Sequence, residues 1–277
     1  MKKQQLILLG SGVILFCLIY FFGQTIPPKK KSTVVSATDA DTRAILDESK
    51  TNLTPSQRAQ LVQLETGIVR GDIKEQQIKV YRQIAAFWRD TAHLLLPYSY
   101  YTGEAAKLEN SEKSLTFAAQ QFFGAFPKQE NPDLKKWMAL QAKELFERVL
   151  KLNPNNDSVK IQIGSCYLFG NISEAPMEGI RMIREVAERD PQNMYAQHML
   201  GMGAIYSGQF DKAIERFLVV AKKEPGNIEA KLLLAESYER TGDTSNAIKW
   251  YQESLQLVKQ KEFAKEIENR INSLKTN

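Results

Sequence analysis

Cysteine and histidine are nearly absent from this sequence, with two of each in 277 residues. Cys17 lies inside an apolar run, which leaves Cys166 without a partner for an intrachain disulfide. The scarce Cys and His residues do not cluster, so no metal site is expected. The motif His-Glu-x-x-His is missing, as are Gly-x-Ser-x-Gly and any phosphate-binding glycine loop. Sustained two-residue alternation bounded by turns, the mark of a half-buried strand, is also missing. Together these absences point to an all-α, non-enzymatic chain with no cofactor and no small-molecule substrate. Cys166 reads as a small buried helix residue. His93, followed by Leu94-Leu95-Leu96-Pro97, reads as a buried or boundary histidine.

Acidic residues are missing from residues 1–31, which hold Lys2, Lys3, Lys29, Lys30 and Lys31. Taking those five from 37 basic residues leaves 32, against 32 acidic residues in the rest of the chain. The formal charge of +5 therefore flanks one segment, and the remainder is neutral. A nucleic-acid binder needs a basic stripe to displace counterions from phosphates, so no nucleic-acid partner is expected.

That segment, residues 6–22, reads LILLGSGVILFCLIYFF and carries no charge. It approaches the length of a bilayer-spanning helix, with Tyr20 at an interfacial position and Pro27-Pro28 barring continuation. A cleaved signal is the rival reading, but residues 21–25 lack the small-residue cleavage pattern. The expectation is a single-pass N-terminal anchor over 1–23 that contacts the bilayer through 6–22. The flanking lysines do not decide orientation. The short basic tail resembles a signal anchor, with the bulk of the chain extracytoplasmic.

Residues 24–52 are polar and proline-containing, and read as a flexible linker with a short helix at 42–49. Helical signals start at Thr54-Pro55-Ser56-Gln57, a capping box with proline at the first helical position. A helical hairpin region is expected over 53–110, with Ile78, Tyr81, Ile84, Ala85 and Trp88 on one apolar face. Pro97 is expected to end that helix, and a short helix to follow at 100–108.

Self-comparison reveals a repeat. Residues 194–227 align with 228–261 without a gap: Leu200-Gly201 on Leu234-Ala235, Gly208 on Gly242, Ala213 on Ala247, Phe217 on Tyr251. Two antiparallel helices explain each unit. Small residues let the helices cross closely, glycine permits the turn, and the aromatic fills the space between units. An earlier unit, 157–193, carries Ile163-Gly164, Tyr167, Gly179, Ile183, Val186 and Pro191, with about three extra residues in its turn around 171–177. Ala142, Phe146, Val149 and Pro154 match a second helix whose partner lies near 111–126, which makes 111–156 a degenerate unit. Phe263, Ile267 and Ile271 suit a capping helix within 262–277.

At these residues the chain resembles the tetratricopeptide repeat family. The resemblance implies a right-handed α-α superhelix behind the anchor. It implies a concave groove lined by the first helix of each unit, with a protein or peptide as ligand. Groove positions carried over from the family are Ile161, Ser165, Leu168 and Phe169, then Tyr195, His198, Met202, Ile205 and Tyr206, then Glu229, Leu232, Glu236, Glu239 and Arg240. The first two sets form an apolar, aromatic floor, and the third is mostly acidic. One subtype of the family clamps C-terminal carboxylates with Lys, Arg and Asn. Ile161, His198 and Leu232 stand where some of those would be, which argues against such a clamp. Whether the groove is free or filled by the protein's own N-terminal helices stays open. The functional expectation is a membrane-anchored scaffold in a bacterial envelope. The alternatives are chaperone-like holding of unfolded clients, as in secretion or cytochrome assembly, and an unrecognised enzyme on the N-terminal helices.

Overall fold

The computed structural model describes residues 39–70, 73–172 and 176–276. These lie within one compact unit, Ser36–Asn277, and contain thirteen α-helices and no strand. The expected anchor at 6–22 lies outside the described residues, and among those described no helix is long and apolar enough to cross a membrane.

The first helices are α1 (Asp39–Thr51), α2 (Pro55–Arg70) and α3 (Lys74–Ala86), followed by a π turn at Phe87–Thr91. Next are α4 (Leu95–Glu109), α5 (Glu112–Ala125), a 3-10 turn at Phe126–Lys128 and α6 (Pro132–Leu152). The clear repeats follow as α7 (Asp157–Phe169) with α8 (Met177–Arg189), α9 (Met194–Tyr206) with α10 (Phe210–Lys223), and α11 (Ile228–Arg240) with α12 (Thr244–Leu255). The last helix, α13 (Lys261–Thr276), packs on α12. From α3 to α12 the helices pack as sequential pairs, and each pair packs on the next.

The capping box forms as expected. Gln57 Oε1 accepts from the Thr54 amide at 2.9 Å, and Thr54 Oγ1 accepts from the Gln57 amide at 3.3 Å. Asparagine does similar work at each repeat boundary. The side chains of Asn156, Asn193 and Asn227 accept from the amides of Val159, Ala196 and Ala230, starting α7, α9 and α11. Gly208 and Gly242, in the turns inside the two aligned units, have φ of 72° and 83°, a region costly for residues with a Cβ.

Close crossing is built in two ways. In α7–α8 it is backbone on backbone: a Cβ on Gly164 would lie 2.8 Å from the Gly179 carbonyl oxygen. In α9–α10 the Gly201 site is filled by the Phe217 ring, which would stand 2.7 Å from an added Cβ. Phe217 joins Ala230, Leu234 and Ala235 of the following unit in one core, which continues through Tyr251 to Ile267 and Ile271 of α13.

Three expectations change at the N-terminal end. The linker expected over 24–52 is helical from Asp39 to Thr51, and Thr42 Oγ1 accepts from the buried Trp137 Nε1 at 3.0 Å. The helix carrying Trp88 stops at Ala86 and widens into the π turn, which closes where His93 takes φ 56° and the Leu94 amide donates to the Trp88 carbonyl. Pro97 then lies in the first turn of α4, where proline costs no hydrogen bond, so it helps start a helix rather than end one. His93 is a boundary residue, but an exposed one. The extra residues of the α7–α8 turn fall partly at 173–175, outside the described residues.

Candidate functional site

A cavity of about 1010 Å³ opens between the start of α6, α7, α9 and the start of α11. One wall comes from α9, one turn after another: Tyr195, His198, Met199, Met202 and Tyr206. Spacings of three and four residues put these side chains on one helix face. Phe169 and Ser165 of α7 form the floor beside them. The Phe169 and Tyr206 rings meet edge to face at 6.0 Å. Tyr206 is 67% exposed and Tyr195 37%, unusual for large side chains in a packed array.

Six of the carried-over positions therefore come together: Ser165, Phe169, Tyr195, His198, Met202 and Tyr206, with Glu229 at the edge. The others do not. Ile161 and Leu168 are buried with Ile183, Val186 and Leu200, because positions seven apart on α7 turn toward α8 and α9. Ile205 and Leu232 pack against the core of the next units. Glu239 forms an ion pair with Arg270 of α13 and accepts from the Tyr251 hydroxyl at 3.2 Å, so the terminal helix occupies it. Arg240 lies over the Phe210 ring at 5.0 Å. Glu236 is exposed but does not line the cavity.

The missed residues come from two places: Met194, Met199, Glu224 and Asn227 from the clear repeats, and the rest mainly from the degenerate unit. Phe123, Phe126, Pro127 and Pro132 supply the opposite apolar wall, with Gln129, Glu130 and Lys135 at its rim and Asn171 closing it from the end of α7. The signal was available. Applying the first-helix rule to 111–126 as well would have brought Phe122-Phe123-Gly124-Ala125-Phe126 into consideration. No described residue before Phe123 lines the cavity, so α1–α4 do not fill it.

His198 is set by three neighbours. Its ring meets Phe217 edge to face at 5.5 Å, and its Nε2 lies 3.9 Å from Glu229 Oε1. Burial lowers its pKa below the ordinary 6.5, and the charges of Glu229 and Glu224 oppose that shift without reversing it. His198 is thus a neutral contact residue near pH 7. Burial drives the Tyr195 phenol up to about 12, so it stays a neutral donor. Cys166 is fully buried, and burial raises its thiol pKa far above the reactive range.

Comparison with known proteins follows the same outline. Residues 198–262 match the model of the tetratricopeptide repeat family. The fold is similar to that of PilW, described as a widely conserved type IV pilus biogenesis factor. The TM-score is 0.51 at 16% identity, covering 72% of this chain and 86% of that one. MamA from Desulfovibrio magneticus RS-1 matches at 22% identity and TM-score 0.46, over 68% of this chain and 96% of that one. YrrB, a tetratricopeptide protein with an unusual peptide-binding site, matches at 15% identity and TM-score 0.45, over 74% and 97%. These identities speak to fold, and of the three scores only that of PilW bears weight. With gapless 34-residue units, paired helices and the family match over 198–262, that part of the chain carries tetratricopeptide repeats, and the helices before it pack in the same paired way.

Proposed function

We propose that this protein is a membrane-anchored adaptor that binds a segment of another protein in the groove between α5–α6 and α9, and that it is not an enzyme. The groove itself carries this reading. Apolar and aromatic side chains surround about 1010 Å³ of open space, among them Phe123, Phe126, Phe169, Tyr195, Met199, Met202 and Tyr206. Burying such a surface under a partner's apolar anchors is the main source of affinity in helix-in-groove and extended-peptide recognition. The uncharged run at 6–22 supports the anchor, and the short basic tail before it supports an extracytoplasmic placement in a bacterial envelope.

Crosslinked pull-down of the native protein tests the reading. One stoichiometric partner should be captured, and capture should be lost in Tyr206→Glu and in Phe169→Glu/Tyr206→Glu. Undiminished capture by variants with wild-type circular dichroism would remove the groove as the site. A reporter fused after Asn277 reads the orientation.

A second reading has one observation in its favour. Met194, Met199 and Met202 line the groove, and methionine adapts to varied partners. Chaperone-like holding of unfolded clients would recover a broad set of proteins in the same pull-down.

A further inference from the structure

We infer that the groove selects a segment whose apolar anchors are flanked by lysine or arginine, with Glu224 and Glu229 reading the cations. This rests on the groove being the binding site, and it adds the charge of the ligand.

The charge around the cavity is one-sided. Glu130, Glu224 and Glu229 border it, against the single basic side chain of Lys135. Several other carboxylates of the array are paired with arginine: Asp157 with Arg189, Glu178 with Arg181, Glu239 with Arg270. The groove carboxylates are not paired in this way. Glu224 accepts from the neutral Asn227 side-chain amide at 2.8 Å, and Glu229 lies 3.9 Å from His198 Nε2, a ring that burial keeps neutral near neutral pH.

Backbone adds to the same sign. Glu224 caps the C-terminal end of α10, where the terminal carbonyls carry partial negative charge. A cation in this corner meets two carboxylates and a helix C-terminus beside an apolar wall that lowers the local dielectric. The excess is local, because outside residues 1–31 the chain is formally neutral. An acidic segment would instead place its carboxylates against three of the same sign, which is costly at an interface.

The test uses the full-length chain in detergent and two labelled amphipathic peptides. They share leucine and phenylalanine positions, but one carries Lys and Arg on its polar positions and the other Glu. Fluorescence anisotropy should show the basic peptide binding on the order of tenfold more tightly, with the preference shrinking as salt rises. Glu224→Gln/Glu229→Gln should erase most of that preference while leaving the acidic peptide's affinity unchanged or improved. Tyr206→Glu should weaken both peptides.

Equal binding of the two peptides, with both lost in Tyr206→Glu, overturns the charge inference and leaves the groove reading standing. Failure of both peptides to bind, or binding indifferent to Tyr206→Glu, overturns both. A synthetic peptide of residues 24–38, which holds Pro27-Pro28 and Lys29 to Lys31, serves as competitor. If it displaces the basic peptide at lower concentration than unlabelled basic peptide does, the occupant belongs to this chain and the partner assignment falls.

Discussion

The two walls of the groove are built by different rules. The α9–α12 wall belongs to units that align without a gap, with asparagine caps, a left-handed glycine in each turn and an aromatic packed with the next unit. The α5–α6 wall belongs to a unit without the 34-residue signature. It is packed through Phe122, Phe126, Trp137 and Phe146, and tied to α1 by the Thr42–Trp137 hydrogen bond. Yet both walls present aromatic side chains to the same cavity. The signature residues Leu200, Gly201, Ala213 and Phe217 all face inward. They record how helices stack, and they leave the groove face free to differ.

This contrast can be broken from either side. The largest effect is expected from Phe217→Ala, which empties the site against Gly201 and should cost about 3–5 kcal/mol in denaturant unfolding. Phe123→Ala, on a half-buried groove residue, should cost much less stability and still weaken ligand capture. If the two cost the same, the two walls are not held differently. On the α1–α6 side, Thr42→Val leaves the buried Trp137 N–H without its acceptor and should cost roughly 1–3 kcal/mol, seen as a lower thermal midpoint. Loss of the caps should be smaller and nearly equal: Asn193→Ala and Asn227→Ala at about 1 kcal/mol each. Unequal values would mean that the repeats are alike in sequence but not in energetics.

The smallest expected effect concerns His198. Its folded pKa lies below 6.5, so between the two values the unfolded chain holds a proton that the folded chain does not. Stability should therefore be level at higher pH and fall as pH drops from about 6.5 through that window. His198→Gln should flatten this part of the urea-midpoint profile. A slope of the same sign and size in the variant would assign it to other groups.

Much of the fold was legible because its determinants are local and periodic. The capping box at Thr54, the glycines at 208 and 242, and the alanine and aromatic positions each act within one turn or one hairpin. What escaped depends on longer range. Residues 42–49 read as a short helix within a linker, and what ties the longer helix 39–51 to the fold is Trp137, 95 positions away from Thr42. Pro97 was misplaced because a proline that bars one helix suits the first turn of the next. In the groove, Tyr195, His198, Met202 and Tyr206 of α9 share the cavity because helical spacing puts them on one face, while Ile205 turns into the core and Met199 lines the cavity. Ile161 and Leu168 do not line it, because which stripe of α7 is covered depends on where α8 and α9 lie. Glu239 was lost to Arg270, a residue no repeat alignment would pair with it.

The last helix also bears on assembly. α13 spends Ile267 and Ile271 on the core, and its exposed residues are mostly charged or polar, among them Glu262, Lys265, Glu266, Glu268, Asn269, Asn272 and Lys275, with Phe263 partly exposed beside them. A further repeat, or a second molecule joined end to end, would have to dehydrate this charged surface with little apolar area in return. Repeat arrays with bare ends can polymerise into open filaments, because a head-to-tail contact need not close. A polar outer face on α13 gives such a contact little apolar area to bury.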